Sequence, residues 1–432
     1  MRRRPTGQGR LTRRVPPVQR QVNAKSSERG DPEVALRFPA AEYQQRLGKI
    51  RGEMERVGAE VLLVADPANM NYLSGYDGWS FYVPQVLVVL GSEPAPFWMG
   101  RPQDTSGARL TTWLPDDHIR SYPESFIQSL DHHPMEAVAD LLRELGADHS
   151  RIGIELDAYY FTAQAYLALL RALPASTLLD ASLLVNWVRL TKSPAELAYM
   201  RQAASIAQHA MATAFEVIEP GVRECDAAAA IFAAEIGGTA DVPGDYPAIV
   251  PLMPSLERTT TSHLTWTDRC YEVGDVVNLE LAGCSHRYHA PLARTLYLGT
   301  PPPAYRDLAD VVLEGVEAAL AAIAPGATCE EVEAAWRRRL QAGGYEKASR
   351  LGYAVGIGYP PDWGEHTASL RAGDRTVLQP GMTFHLIAGM WAPPMGLELS
   401  ETLAVTEAGC EVLTTFTRDL LTKDSFPTGR SA

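Results

Sequence analysis

A chain of 432 residues, 46% of them hydrophobic and 21% charged, is long enough for two domains with cores of their own. Its 39 Lys and Arg against 52 Asp and Glu leave a formal net charge of -13, which argues against a broad nucleic-acid face. No apolar run reaches membrane-spanning length. The five cysteines are scattered and lack a C-x-x-C pair, so neither a disulfide framework nor a zinc knuckle is indicated and a reducing cytoplasm is the expected home.

Residues 1–34 are rich in Arg, Pro, Gly and Ser and poor in large apolar residues, the composition of a disordered tail. Ordered sequence opens near Phe38. AAEYQQRLGKIRGEMERVG has helical apolar spacing and stops at Gly58. AEVLLVAD follows as a buried strand, PANMNYLSGY as a turn-rich loop, and FYVPQVLVVLG and APFWMG as two more strands. Helix, turn and strand are expected over MEAVADLLRELGADHSRIGIELD, and helix again up to Pro174. This alternation predicts an α/β first domain, residues 35–186.

A long helix is expected after Ser193-Pro194, with Glu196 just inside it. RECDAAAAIFAAEIGG reads as a second helix. The strand-like pieces AIVPLMPS, DVVNLELAGCSHRYHAPLARTLYLG, TFHLIAGMW and LELSETLAVTEAG follow, with two helices among them. Such segregation predicts an α+β second domain with a curved antiparallel sheet, residues 187–420, and a tail over 421–432.

The ordered set VRLTKSPAELAYMRQAASIA, YEVGDVVNLELAG, APLARTLYLG, LQPGMTFHLIAG and LELSETLAVTEAGCEVLT resembles the creatinase, prolidase and aminopeptidase P family from about Phe38 to about Thr415. The resemblance implies that family's pita-bread fold for the second domain. DPANMNYLSGYDGWSFYVPQ, HLTWTD, LELAGCSHRYHAPLART and YPPDWGEHTASLR resemble, more narrowly, its ectoine hydrolase branch. The metallopeptidases of the family hold two metal ions with two Asp, one His and two Glu. Those positions fall on Glu280, on Pro291, at or beside Pro360, near Ile387 and on Ser400. One acid from five ligands cannot build that centre, so no metal and no other cofactor is expected. His286 and His289 offer no convergent pair in its place.

What the resemblance then implies is hydrolysis of ectoine to an N-acetylated diaminobutyrate, with acceptance of 5-hydroxyectoine left open. The substrate is a small cyclic amidinium carrying a carboxylate. Its electrophilic carbon is already activated, so a carboxylate can attack it, or hold a water to it, without a Lewis acid. Glu280 is the expected nucleophile or general base, and His263 the acid that protonates the departing nitrogen. Trp79, Phe81 and Tyr82 in the first domain, and Trp363 and Trp391 in the second, are candidate faces for the cation. His385, Glu365 and Glu398 complete the expected substrate-binding set. Glu398 and Glu401 should point to opposite faces of one strand. Arg294, Arg287 and Arg371 are candidate partners for the substrate carboxylate. The resemblance also implies a homodimer in which the GYDGWSFYV loop completes the neighbour's pocket. A creatinase-like amidinohydrolase, a proline-type peptidase and a non-enzymatic binding module are the competing expectations.

Overall fold

The computed structural model describes residues 36–394 and 396–423; the expected tail over 1–34 lies outside them. The first half runs α1 (Ala40–Val57), β1 (Val61–Val64), α2 (Pro67–Ser74), β2 (Val86–Leu90), β3 (Phe97–Gly100), α3 (Thr105–Thr111), β4 (Ile119–Ser121), α4 (Pro134–Glu144), β5 (Arg151–Ile154), α5 (Ala163–Ala172), β6 (Thr177–Asp180) and α6 (Leu184–Arg189). Its six strands form one mixed sheet in the order β4-β3-β2-β1-β5-β6. The apolar runs are buried on both faces because helices cover both. Leu62, Val64, Leu87 and Val89 pack with Leu47 and Ile50 of α1. Val61, Leu63, Val86 and Val88 pack with Val138 and Leu142 of α4 and Leu169 of α5.

One segment departs from the sequence expectation. PANMNYLS is the helix α2, not a loop: Asp66 caps the N–H groups of Ala68 and Asn69, and Pro67 occupies the first turn. The expected boundary at 186/187 falls inside α6, which with the residues after it ties the two halves together.

The second half runs α7 (Pro194–Val217), α8 (Glu224–Gly237), β7 (Val276–Ser285), β8 (Tyr288–Leu298), α9 (Pro303–Ala322), α10 (Cys329–Ala342), β9 (Gly352–Tyr359), β10 (Asp362–Leu370), β11 (Thr383–Met390), β12 (Leu397–Thr406), β13 (Gly409–Val412) and β14 (Leu421–Lys423). AIVPLMPS forms no strand of its own; it makes isolated bridges to β7, Leu252 opposite Glu280 and Ser255 opposite Val277. The stretch around Pro360, expected as a loop, is the tip of a hairpin between β9 and β10. The sheet order is β13-β12-β11-β9-β8-β14, with β7 on β8 and β10 on β9. All pairings are antiparallel except that of β14 with β8. Leu421–Lys423 runs parallel to β8, so the expected tail from 421 begins with a sheet strand. Its Leu421 is buried in the core under α7, which supplies the reason.

Helices pad one face of this sheet and leave the other to polar groups. Phe384, Leu386, Leu399 and Leu403 face Val312, Val316 and Trp336 of α9 and α10. Val277, Leu279 and Leu281 face Ala207, Ala210 and Ala214 of α7. Period-two alternation then turns Asn278, Glu280, His385, Gly389, Glu398 and Ser400 to the opposite, concave face. The seat of β7 on α7 is close. At Gly283 an added Cβ would collide with the Ala203 carbonyl and lie 2.5 Å from the Ala207 nitrogen. The alanines of α7 and this glycine together let backbone touch backbone. Among the described residues, no helix is long and apolar enough to cross a membrane.

Gly283→Ala should therefore push α7 off the strand that carries Glu280. Overpacking of this kind costs about 1–3 kcal/mol. A fall in the urea unfolding midpoint is the expected result, and an unchanged midpoint would contradict the close seating.

Candidate active site

β7 and β8 turn through His286 and Arg287, both in the left-handed region (φ 51° and 70°). Two-residue hairpins of this kind favour Asn-Gly. Here tertiary contacts offset the strain. The Arg287 guanidinium is fully buried, donates to the Tyr246 and Gly358 carbonyls, and lies 3.8 Å from the Tyr246 ring centre. That locks the hairpin in register, with Glu280 opposite Ala293 and Asn278 opposite Thr295. Arg287 and Arg294 are both spent on structure: Arg294 donates to Glu401 (2.8 Å) and to the Ser400 and Phe416 carbonyls. Glu401 also receives Arg418 and Thr414, so it faces away from Glu398, as the strand alternation requires.

The concave face gathers Glu280, Glu398, His385, Trp363 and Trp391 of the expected set. His385 Nδ1 and the Tyr353 hydroxyl hydrogen-bond at 3.0 Å, and its Nε2 and Ser400 Oγ at 2.7 Å. Trp363 Nε1 donates to Tyr353 (2.9 Å), and the Ala293 N–H donates to Ser400 (2.6 Å). Burial, with Arg350 nearby, pushes His385 down to about 3, so it is a neutral imidazole fixed at both nitrogens. Trp391 Nε1 donates to Glu398 (2.6 Å).

The two carboxylates are almost closed to water, Glu280 at 5% and Glu398 at 2% exposure. Burial first, then the charges of Glu398 and Asp362, hold Glu280 well above the usual carboxylate range. Burial pushes Glu398 up to about 7, while Trp391, Lys347 and Asn278 pull the other way. Burial and mutual repulsion thus disfavour ionisation of both acids, and the polar contacts that oppose this are on Glu398.

The other expected residues stand elsewhere. Glu365 is not part of this cluster. It is buried against Lys192 (2.7 Å) with Arg189 at 3.7 Å, and Asn186 donates to its carbonyl, so it holds the interdomain linker to β10. Phe81 is buried in its own chain, 5.0 Å from Tyr160 and 5.9 Å from Tyr359 between ring centres. Trp79 packs edge-on to Tyr246 yet stays half exposed, and Tyr82 is exposed. None of the three touches the Glu280 cluster within the chain. Trp391 is in the cluster, but Lys347 already stands 4.1 Å from its ring centre. His263 is exposed, on a strap from Ser255 to Thr267 whose two ends both bond Glu224. Sequence reasoning missed Lys347, Tyr353 and Asn278. Only Asn278, two residues from Glu280 on one strand, carried a usable signal.

Four of the five positions that the family resemblance assigns to metal ligands share a face, while Pro360 lies at the tip of the β9–β10 hairpin. Glu280 and Pro291 lie on the paired strands β7 and β8, and Ile387 sits opposite Ser400 in β11 and β12. Pro291 and Ile387 offer no ligand, and the Ser400 hydroxyl is committed to His385 and Ala293. Among the described residues no group of three or more His, Cys, Asp or Glu is arranged to hold a metal ion. The donors present do not fit a two-metal centre.

Comparison with known proteins agrees with this architecture. Residues 46–191 match the creatinase/prolidase N-terminal domain, and residues 198–407 match metallopeptidase family M24. An uncharacterized hydrolase/peptidase, y4tM, of Sinorhizobium fredii is 46% identical over 90% of this chain and 99% of its own length. The ectoine hydrolase of Halomonas elongata is 44% identical over 90% of this chain and all of its own length. The prolidase of Thermococcus sibiricus superposes with a TM-score of 0.76 at 20% identity, over 88% of this chain and 99% of that one. With both domains matched and relatives similar along their whole length, the chain belongs to metallopeptidase family M24, as a hydrolase with a creatinase-type N-terminal domain and a pita-bread C-terminal domain.

Proposed function

We propose that this protein opens the cyclic amidinium ring of ectoine, giving an N-acetylated diaminobutyrate, without a bound metal ion. The observation that carries the reading is the buried Glu280–Glu398 pair beside a single lysine, Lys347, a site that with both carboxylates ionised carries a net charge of -1 where the fold's metal ligands have gone. An amidinium cation matches that charge and completes the neutralisation. The relative named ectoine hydrolase supports the choice of substrate. Glu280 occupies the one ligand position that keeps an acid, and His385, Trp363 and Glu398 are the side chains proposed to surround the substrate with it.

On binding the cation, the pair gives up its proton to solvent and Glu280 is freed to act. As general base it takes a proton from water while the water oxygen adds to the carbon between the two nitrogens. One C–N bond then breaks: the departing nitrogen takes a proton from His263, which the Ser255–Thr267 strap must carry in from its exposed position. The added hydroxyl passes its proton to the freed amine as its oxygen becomes the carbonyl of the amide on the other nitrogen, and Glu280 returns its proton to His263 through solvent. As nucleophile Glu280 would add to the same carbon first, and water would release the product afterwards. The exposure of Trp79 and Tyr82 supports a homodimer in which their loop meets the neighbouring subunit, and the cytoplasm is the proposed location.

Ectoine incubated with the purified protein and EDTA should yield the ring-opened product by mass spectrometry, with no stoichiometric metal by elemental analysis. The same sample should run as a dimer in light scattering. Turnover lost with EDTA and restored by one or two metal ions per chain would reject the metal-free reading; an active monomer would reject the dimer.

Glu280→Gln should cut kcat by about a hundred- to ten-thousand-fold while the melting temperature holds. His263→Asn should cost about a hundredfold. A lowered melting temperature with turnover intact would make Glu280 a structural residue instead, and unaltered turnover in the His263 variant would move the acid elsewhere.

The pair binds a cation best when it carries its charge. Glu398, pushed up to about 7, gains a proton as the pH falls below that value. KM for ectoine should therefore rise toward acid pH through this range, and binding near pH 6 should release a proton, measurable by calorimetry in buffers of different ionisation enthalpy. A KM flat from pH 5 to 8 would contradict this titration of Glu398.

A further inference from the structure

Glu398 has a cation behind it that neither the fold's usual ligand set nor the expected site residues include. Lys347 lies between α10 and β9 and is buried. Its ammonium donates to the Gly389 carbonyl (2.7 Å) and stands 4.1 Å from the centre of the Trp391 ring. Gly389 is the residue directly opposite Glu398 in the β11–β12 ladder. Trp391 closes the loop by donating its N–H to Glu398 (2.6 Å). Lysine, indole and carboxylate are thus stacked on one rung of the sheet. The stack depends on the glycine. A Cβ at position 389 would collide with the six-membered ring of Trp391, so only Gly lets the indole fold back over its own strand.

We infer that Lys347 is a positioning residue: held on the Gly389 carbonyl and against the Trp391 ring, it fixes the indole N–H on Glu398 and supplies the counter-charge behind that carboxylate, the partner of Glu280 in the buried pair. The inference rests on the reading of that pair as the reacting groups. Nothing comparable serves Glu280, whose charged neighbours are Glu398 and Asp362, both of which disfavour its ionisation. The other groups around Glu398 do not substitute for Lys347. Tyr305 of α9 donates its hydroxyl to the Gly396 carbonyl and is neutral, and Asn278 of β7 carries no charge. Arg294 and Arg418, from β8 and the segment before β14, are engaged by Glu401, and Asp419 lies on the same side. Burial pushes Lys347 down to about 8, with Glu398 opposing, so the ammonium remains the majority form at pH 7. An ammonium beside an aromatic face that is hydrogen-bonded to a carboxylate favours the ionised carboxylate through both contacts.

The test compares Lys347→Met, Lys347→Arg and Trp391→Phe with the parent protein. Protonation of Glu398 is followed by infrared titration of the carboxylic-acid carbonyl stretch, identified by its loss in Glu398→Gln, and needs no substrate. Lys347→Met should move the Glu398 titration, and the acid limb of kcat/KM for ectoine, upward by about one pH unit. Lys347→Arg should restore both. Trp391→Phe keeps a ring beside the lysine but deletes the N–H donor, and should move both upward as well; it tests the same relay if the methionine variant fails to fold. Titrations that stay in place in Lys347→Met, or in Trp391→Phe where that variant must serve, would overturn the inference. If the infrared band moves as stated but the parent protein does not turn over ectoine, the charge relay stands and the substrate assignment falls.

Discussion

The site is organised by the cost of burying two carboxylates together. An ion taken out of water loses several kcal/mol of solvation even after the protein relaxes, and a second like charge beside it adds to the cost. Burial disfavours the anion of Glu280 and of Glu398, and the charge of Glu398 disfavours that of Glu280 further. Every polar group that favours a charge has been set around one member. Trp391, Asn278 and Lys347 serve Glu398, whereas Glu280 has apolar strand neighbours and the two acids that repel it. His385, held neutral between Tyr353 and Ser400, adds no charge to disturb that split.

The same sheet face explains how a metallopeptidase scaffold can host this arrangement. The strands still bring positions 280, 291, 387 and 400 together, and the backbone superposes on a prolidase at low identity. What has changed is the chemistry of single side chains. Pro291 and Ile387 replace ligands with apolar bulk, and Ser400 turns a ligand position into a hydrogen-bonding post for His385. Architecture is carried by the apolar face against α7, α9 and α10, which these exchanges do not touch. Fold and reaction are in that sense held by opposite faces of one sheet.

Much of this was legible in the chain. Strand alternation around Glu280 and across Glu398–Glu401 is a local pattern, and it assigned faces correctly. The Ser193/Glu196 capping box marked the start of α7. The helix α2 was missed although its cap was written in Asp66-Pro67, because the residues after it look polar and turn-like. Other misreadings have a different origin. The partner of Glu365 is Lys192, 173 residues away, and nothing near either residue announces the pairing. Phe81 and Lys347 likewise take their roles from contacts with Tyr359 and Gly389 across the fold. Charge and aromatic content say which residues are capable of a task, but long-range packing decides which of them are already occupied.

The parallel strand Leu421–Lys423 has a bearing on how the molecule is made. It pairs with Leu296–Leu298, the end of the strand at the centre of the second domain. During synthesis that strand leaves the ribosome long before its neighbour exists. Until Leu421–Lys423 has been made, the backbone donors and acceptors on that side of Leu296–Leu298 are open to another extended chain. Nascent chains crowded on one messenger are exposed to mispairing at this edge for the whole interval. A chaperone that shields extended segments would have its greatest effect on yield here, and slowing translation upstream would do little to help.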